Sequence, residues 1–253
     1  MKIESSTFVV TGGARGLGRA AGLSLAGQGA RVALIDLDQG ALDEAVAACA
    51  QAGGSARGYL TNVADEAEVE AVFATIENDL GPICGLVNNA GILRDGLMVK
   101  AKEGKVTDRL SLSDWQAVID VNLTGVFLCG REAATRMIES GTQGAIINIS
   151  SISSAGNIGQ SNYSAAKAGV SALTVTWARE LARFGIRAAA IAPGVFETDM
   201  VASMKPEAYD RIVGAVPLRR TGRLDELADA VTYIFSNDYF SGRVLELDGG
   251  LRL

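Results

Sequence analysis

The chain has 253 residues, 48% of them hydrophobic and 21% charged, which is enough for one large domain and too apolar for a disordered one. It contains no histidine, which excludes a Ser-His-Asp triad, a Cys-His dyad and any histidine-ligated metal site, and leaves Tyr, Lys, Asp, Glu, Cys or water to move protons near neutral pH. A net charge of −6 argues against DNA, other nucleic acid or an anionic membrane as a partner, and seven Phe, two Trp and five Tyr are few for base-stacking platforms.

The opening residues run straight into a strand-like Phe8-Val9-Val10, with no apolar leader before it. Further short apolar runs follow at Val32–Ile35, Gly85–Val87, Ala145–Ile149 and Ala188–Ile191, and Val244–Leu247 reads as a last strand. Such runs fit strands buried on both faces, hence parallel ones. Between them lie helix-period stretches at about 16–28, 40–51, 65–78, 114–139 and 163–184. This alternation predicts an α/β fold, a single-domain doubly wound parallel sheet over residues 1–253, with about seven strands and helices on both faces. Two stretches, 91–113 and 193–222, lack a period and read as loops, the second as a substrate loop. Inside the first, Val99–Val106 alternates around Glu103-Gly104 and predicts a hairpin insertion at 99–112. No apolar run reaches the ~18 residues of a membrane span, and Cys49, Cys84 and Cys129 form no CxxC. A cytoplasmic protein with buried thiols and no metal is expected.

Thr11-Gly12-Gly13-Ala14-Arg15-Gly16-Leu17-Gly18 lies between the first strand and the first helix. Glycine there lets the backbone turn sharply and approach a ligand, and a helix N-terminus offers N–H groups and partial positive charge to a pyrophosphate. Asp36 ends the second strand, where a carboxylate accepts hydrogen bonds from adenosine ribose hydroxyls and repels a 2′-phosphate. That favours NAD over NADP; Arg15 pulls mildly the other way, and Asp38 is free to serve as the helix N-cap. In Tyr163-Ser164-Ala165-Ala166-Lys167, Tyr and Lys share one helix face. A phenol of pKa ~10 is a poor acid–base group until a nearby cation stabilises the phenolate, so Lys167 is expected to lower the Tyr163 pKa.

These motifs, together with Asn88-Asn89-Ala90-Gly91, Asn122, Ser150-Ser151 and Pro193-Gly194, stand in an order and spacing that resembles the short-chain dehydrogenase/reductase family over about residues 5–250. The resemblance implies hydride transfer between a nicotinamide and a carbonyl or secondary alcohol. Tyr163 would be the general acid/base, and Lys167 would bind the nicotinamide ribose. Asn122 would hold a water on a proton relay to the lysine, and an upstream serine would hydrogen-bond the substrate oxygen. Counting back from Tyr163 by the family's spacing reaches Ser150, whereas counting forward from the strand Ile147-Asn148-Ile149 reaches Ser151. Ser151 is preferred, because a deletion is easier in a loop than in a buried strand, and Ser150 remains the alternative. The implied cofactor contacts are Gly12, Arg15, Gly16, Leu17, Asp36, Leu37, Asn62, Val63, Asn89, Ala90, Gly91, Tyr163, Lys167, Pro193, Gly194, Val195 and Thr198. Asn62 stands where the family usually has Asp.

The small-molecule substrate is expected to be a 3-hydroxyacyl or 3-oxoacyl thioester or a small ketone, with an NADPH-dependent 3-oxoacyl-carrier-protein reductase as the alternative and a non-catalytic dinucleotide sensor as the rival of another class. Against docking of an acidic carrier protein, only Arg183 is basic in the stretches Ser140–Thr142 and Arg183–Gly185. The resemblance also implies a homodimer or homotetramer, through apolar surface on the helices carrying Val118, Val126, Phe127, Val170, Leu173 and Trp177. Finally, the 99–112 segment carries Lys100, Lys102, Lys105 and Arg109 against Glu103 and Asp108. It is either a solvated surface hairpin or an attractor of an anionic thioester carrier.

Overall fold

The computed structural model describes residues 1–198, 201, 204 and 206–252. Residues 199, 200, 202, 203 and 205, in the stretch read as a substrate loop, lie outside the described residues. Seven parallel strands form one sheet in the order β3-β2-β1-β4-β7-β8-β9. They are β1 (Thr7–Thr11), β2 (Arg31–Asp36), β3 (Ser55–Leu60), β4 (Ile83–Asn88), β7 (Gly144–Ile149), β8 (Ile186–Pro193) and β9 (Val244–Leu247). The helices are α1 (Gly16–Gly27), α2 (Gln39–Gln51), α3 (Glu66–Leu80), α4 (Leu112–Ile119), α5 (Gly125–Glu139), α6 (Ser161–Glu180), α7 (Pro206–Ala215) and α8 (Leu224–Ser236).

Alternate residues of each central strand feed opposite cores. Phe8, Val10, Val32 and Leu34 pack with α1, α2 and α8, where Phe8 meets Phe235 edge-on at 4.7 Å. Val9, Ala33, Ile35 and Leu86 pack with α3, α5 and α6. This is why β1, β2 and β4 read as continuous apolar runs. β3 escaped sequence reading because Ser-Ala-Arg-Gly-Tyr-Leu is an edge strand with no fully buried residue. α7 and α8 were also missed. In α8 the signal was present, since Leu227, Val231, Ile234 and Phe235 are buried at helical spacing.

The stretch 114–139, expected as one helix, is α4 and α5 joined by a π turn over Asp120–Thr124. The stretch 163–184 is α6 followed by a short 3-10 turn at Ala182–Phe184. The segment after β4 contains an antiparallel hairpin of β5 (Val99–Lys102) and β6 (Lys105–Arg109). Its turn residues Glu103 and Gly104 have φ of 51° and 76°, the two positive values of a twisted hairpin turn. No described helix is long and apolar enough to cross a membrane.

Because the sheet is wholly parallel, the loops after β1, β2, β4, β7 and β8 open on one edge. β1 pairs with β2 on one side and β4 on the other, so the chain reverses its winding there and leaves a crevice above β1.

Candidate active site

The crevice begins with the glycine turn. Gly12 and Gly16 have φ of 61° and 51°, where a side chain is strained. At Gly18 a Cβ would stand 2.1 Å from the Gly12 carbonyl oxygen, so the first turn of α1 lies directly on the loop that precedes it. No side chain caps the α1 N-terminus, and no acidic residue occupies its first turn. This is a cradle with free N–H groups facing the crevice, and its fit is to a phosphate-bearing ligand.

Asp36 sits at the tip of β2 and accepts from the Leu37 and Ala14 amides at 2.8 and 3.2 Å. Its carboxylate therefore adjoins the glycine turn. Asp38, two residues on, caps α2 by accepting from Ala41 and pairs with Arg15 at 2.6 Å. The Ala41 amide and Arg15 hold its carboxyl below the usual value. With the cap supplied by Asp38, Asp36 is left for a ligand, and Arg15 is tied to a carboxylate rather than poised for a phosphate. Leu37 is exposed beside it.

The other wall is built on β4. Asn89 donates to the carbonyls of Thr11 and Gly12, and the Asn89 and Ala90 amides both donate to the Thr11 hydroxyl. Thr11, which sequence reading did not single out, is thus the hinge pin between the glycine turn and the loop Asn89–Gly91. Asn122, fully buried in the π turn, accepts from Ile92 N and donates to Ile92 O. Its side-chain amide is thus engaged at both ends in bracing the loop after β4. A Cβ on Gly91 would touch that amide at 3.4 Å. Asn62 is likewise engaged locally: its side-chain amide oxygen accepts from Ala64 N and its backbone N–H donates to Glu68. Val63 is buried against Gly125.

Ser150 and Ser151 follow β7, and the two hydroxyls part company. Ser150 donates to the Lys167 carbonyl and meets Ser171, on the interior side of α6. Ser151 accepts from Ser153 N and reaches the Tyr163 phenol. The serine in the crevice is therefore Ser151. Tyr163 and Lys167 share a face of α6, with the ammonium 5.6 Å from the ring centroid. Lys167 is buried and donates to the Ile149 carbonyl at 2.6 Å. Burial pulls its pKa down to about 8.

Tyr163 departs from expectation. Burial pushes its phenol above the ordinary value; the Ser151 hydroxyl draws it back, and Asp95 pushes it further up. Sequence reasoning expected a lowered pKa. Desolvation wins here because Lys167 spends its short bond on Ile149 rather than on the phenol oxygen. Asp95, also unpredicted, is held by Gln160 at 2.9 Å, at the N-cap of α6.

The loop after β8 closes the crevice. Gly194 donates to Leu247 and lies so close to Asp248 that a Cβ would stand 2.7 Å from its Cα. Val195 accepts from Gly222, and Thr198 comes within 3.5 Å of a Cβ placed on Gly16, so Pro193–Thr198 faces the glycine turn. Glycine turn, Asp36, Asn89–Gly91, Ser151, Tyr163, Lys167 and the Pro193 loop thus line one edge of the sheet.

The short chain dehydrogenase family matches residues 6–208. The chain belongs to that family. A 3-oxoacyl-[acyl-carrier-protein] reductase FabG of Thermotoga maritima is 39% identical over 254 residues, covering 99% of each chain. A (3R)-3-hydroxyacyl-CoA dehydrogenase of Canis lupus familiaris is 37% identical over 262 residues, covering 99% of this chain and 98% of the relative. A crystal structure of a putative gluconate dehydrogenase from Agrobacterium tumefaciens superposes with a TM-score of 0.89 at 35% identity, over 99% of this chain and 98% of that one. As a short-chain dehydrogenase the protein is an oxidoreductase that binds a nicotinamide dinucleotide, and the uncapped glycine cradle fits the pyrophosphate of such a group.

Proposed function

We propose that this enzyme moves a hydride between NAD(H) and a secondary alcohol or ketone, with 3-hydroxyacyl and 3-oxoacyl thioesters as the substrate class. The observation that carries the reading is the meeting of Ser151, Tyr163 and Lys167 beside the glycine cradle. The cofactor, held by the α1 N-terminus, Asp36, Asn89–Gly91 and the Pro193–Thr198 loop, would supply or accept the hydride. Tyr163 gives its phenolic proton to the carbonyl oxygen during reduction and takes the hydroxyl proton during oxidation. Ser151 donates a hydrogen bond to the same oxygen and steadies the phenolate. Lys167 places a positive charge beside the phenol ring and would contact the cofactor ribose. Since the phenol lies high, oxidation should accelerate as pH rises, whereas reduction, which needs the protonated phenol, should slow.

Asp36 supports NAD(H) over NADP(H), because a 2′-phosphate would meet its carboxylate. The thioester class is supported by the names of the Thermotoga and dog relatives. The Thermotoga name also supports the second reading, a carrier-protein reductase, for which NADPH is the cofactor to test. A panel of acetoacetyl-CoA, a carrier-protein thioester and simple ketones, each with NADH and NADPH, separates the two. We expect acetoacetyl-CoA with NADH to give the highest kcat/KM; a higher value with NADPH would overturn the cofactor reading.

We further propose a cytoplasmic homodimer or homotetramer paired through α5 and α6. Of the six residues expected on that surface, Val118, Val126, Val170 and Trp177 are buried within the chain. What remains outside is an open depression of about 370 Å³ lined by Leu123, Phe127, Gly169 and Leu173 among others, with Phe127 at 42% exposure. Light scattering that finds a monomer at micromolar concentration would refute the pairing.

A further inference from the structure

The β5–β6 hairpin stands where no part of the hydride-transfer chemistry requires it. All nine residues of its two strands are exposed, so neither face packs on the domain. An isolated two-stranded hairpin is marginal in water, and one with both faces free is incomplete until something lies on it. Its pairing sorts the side chains. Val99 opposite Arg109 and Ala101 opposite Val106 occupy one face, while Lys100 opposite Asp108 and Lys102 opposite Lys105 occupy the other. Leu97 and Met98, 47% and 71% exposed, add apolar side chains at the root just before β5. On the second face two ammonium groups stand directly across from each other, an unfavourable pairing. Among the described residues none of the three lysines is held in an ion pair. Four cations against two anions leave a local +2 on a chain of −6.

The root of the hairpin is fixed to the catalytic lip. Gly96 N donates to Gly159 O at 2.8 Å, Gln160 holds Asp95, and Asn162 donates to Arg94 O at 2.9 Å. Tyr163 is the next residue of α6. Ile158, 88% exposed, adjoins Gly159 at that root. From this lip the strands run outward for about 15 Å, and Lys102 and Lys105 flank the turn at the far end.

We infer that the hairpin recognises the substrate's carrier, binding the phosphate groups of a coenzyme A thioester on Lys100, Lys102 and Lys105 while the acyl end lies at Tyr163. The inference rests on the thioester reading proposed above. A ligand with an apolar arm at the lip and a polyanionic head one hairpin length away matches both the exposed apolar side chains at the root and the cations at the tip. Phosphates on the lysine face would also relieve the Lys102–Lys105 repulsion, which a neutral ketone cannot do.

The test is a calorimetric titration of free coenzyme A into the NAD⁺-bound protein, comparing wild type with the triple variant Lys100→Gln, Lys102→Gln, Lys105→Gln and with the same three positions changed to Arg. We expect the Gln variant to bind about tenfold more weakly at low salt, with the gap closing at high salt and the Arg variant behaving as wild type. The KM of the Gln variant for the N-acetylcysteamine thioester of acetoacetate, which carries no phosphate, should equal that of wild type. Equal coenzyme A affinity in wild type and Gln variant would overturn the inference. So would lysine dependence confined to a carrier-protein thioester, which would assign the patch to a protein surface instead. If coenzyme A binding depends on the lysines but no thioester is reduced, the hairpin site stands and the substrate reading falls.

Discussion

The amino end of α6 and the β5–β6 hairpin lie on one lip of the crevice, and they are built in opposite ways. Around Tyr163 each group is fixed by a second one: Ser151 takes the Ser153 amide, Lys167 is buried against Ile149 O, and Asn122 locks the loop after β4 from both amide atoms. The hairpin is joined to the domain at its root and exposed along both strands. Proton transfer needs atoms held in place, and the first region provides that through burial and hydrogen bonds. On the proposed reading, recognition of a long carrier needs reach and charge, which an exposed strand pair bearing three lysines supplies. Substitutions in the first should therefore change turnover or stability for every substrate, whereas substitutions in the second should discriminate among substrates.

The largest effect is expected at Tyr163. Tyr163→Phe should lower kcat about a thousandfold, with NADH binding by fluorescence unchanged because the ring still packs. A variant that keeps more than about a tenth of the rate, a loss of under ~1.4 kcal/mol, would remove the phenol from its role.

Next comes a pair of glycines, one in the buried glycine turn and one in the hairpin. In Gly18→Ala the new methyl would meet backbone at 2.1 Å, so thermal unfolding should show a loss of about 3 kcal/mol together with failed NADH binding. Gly104→Ala, at φ 76° with nothing within 4 Å, should strain only the hairpin turn, by about 1 kcal/mol, and leave NADH affinity intact. Similar losses at both would mean that the hairpin is integral to the domain.

The two serines sharpen the picture within the buried region. Ser151→Ala should cost about a hundredfold in kcat. Ser150→Ala, whose hydroxyl serves Lys167 O and Ser171, should act mainly on stability. The reverse ranking would move the catalytic role to Ser150.

Lys167→Met changes stability with a sign that sets function against stability. The folded pKa near 8 lies below the ordinary 10.5, so the charged form is the one the fold disfavours. That penalty is complete below pH 8 and fades as pH rises toward 10.5. At pH 7 the inactive, cofactor-free variant should be more stable than wild type by about 2 kcal/mol, with the gap narrowing in alkali. A variant less stable than wild type at pH 7 would show that the Ile149 bond outweighs burial.

Much of this site was legible in the sequence because its elements are local. The glycine turn, Asp36 at a strand tip, the hairpin around Glu103-Gly104 and the Tyr163–Lys167 spacing each depend on residues a few positions apart. What escaped depends on partners distant in the chain. Thr11 shows its part only once β1 and β4 are neighbours, and Asp95 only once Gln160 is beside it. The direction of the Tyr163 shift was misjudged because the helix spacing reveals the nearby ammonium but not the burial that outweighs it. β3 was missed because an exposed edge strand needs no apolar run, whereas α8 was missed despite a clear helical period.

The central claim is that a hydride passes between the nicotinamide and a carbonyl carbon while Tyr163 handles the proton. Its most direct test uses acetoacetyl-CoA and NADH carrying deuterium at both C4 positions, with the product analysed by mass spectrometry. The account predicts a 3-hydroxybutyryl thioester one mass unit heavier, with the deuterium on the carbinol carbon, and under a hundredth as much from Tyr163→Phe in the same time. A reduced product without deuterium, or equal labelled product from the variant, would contradict it.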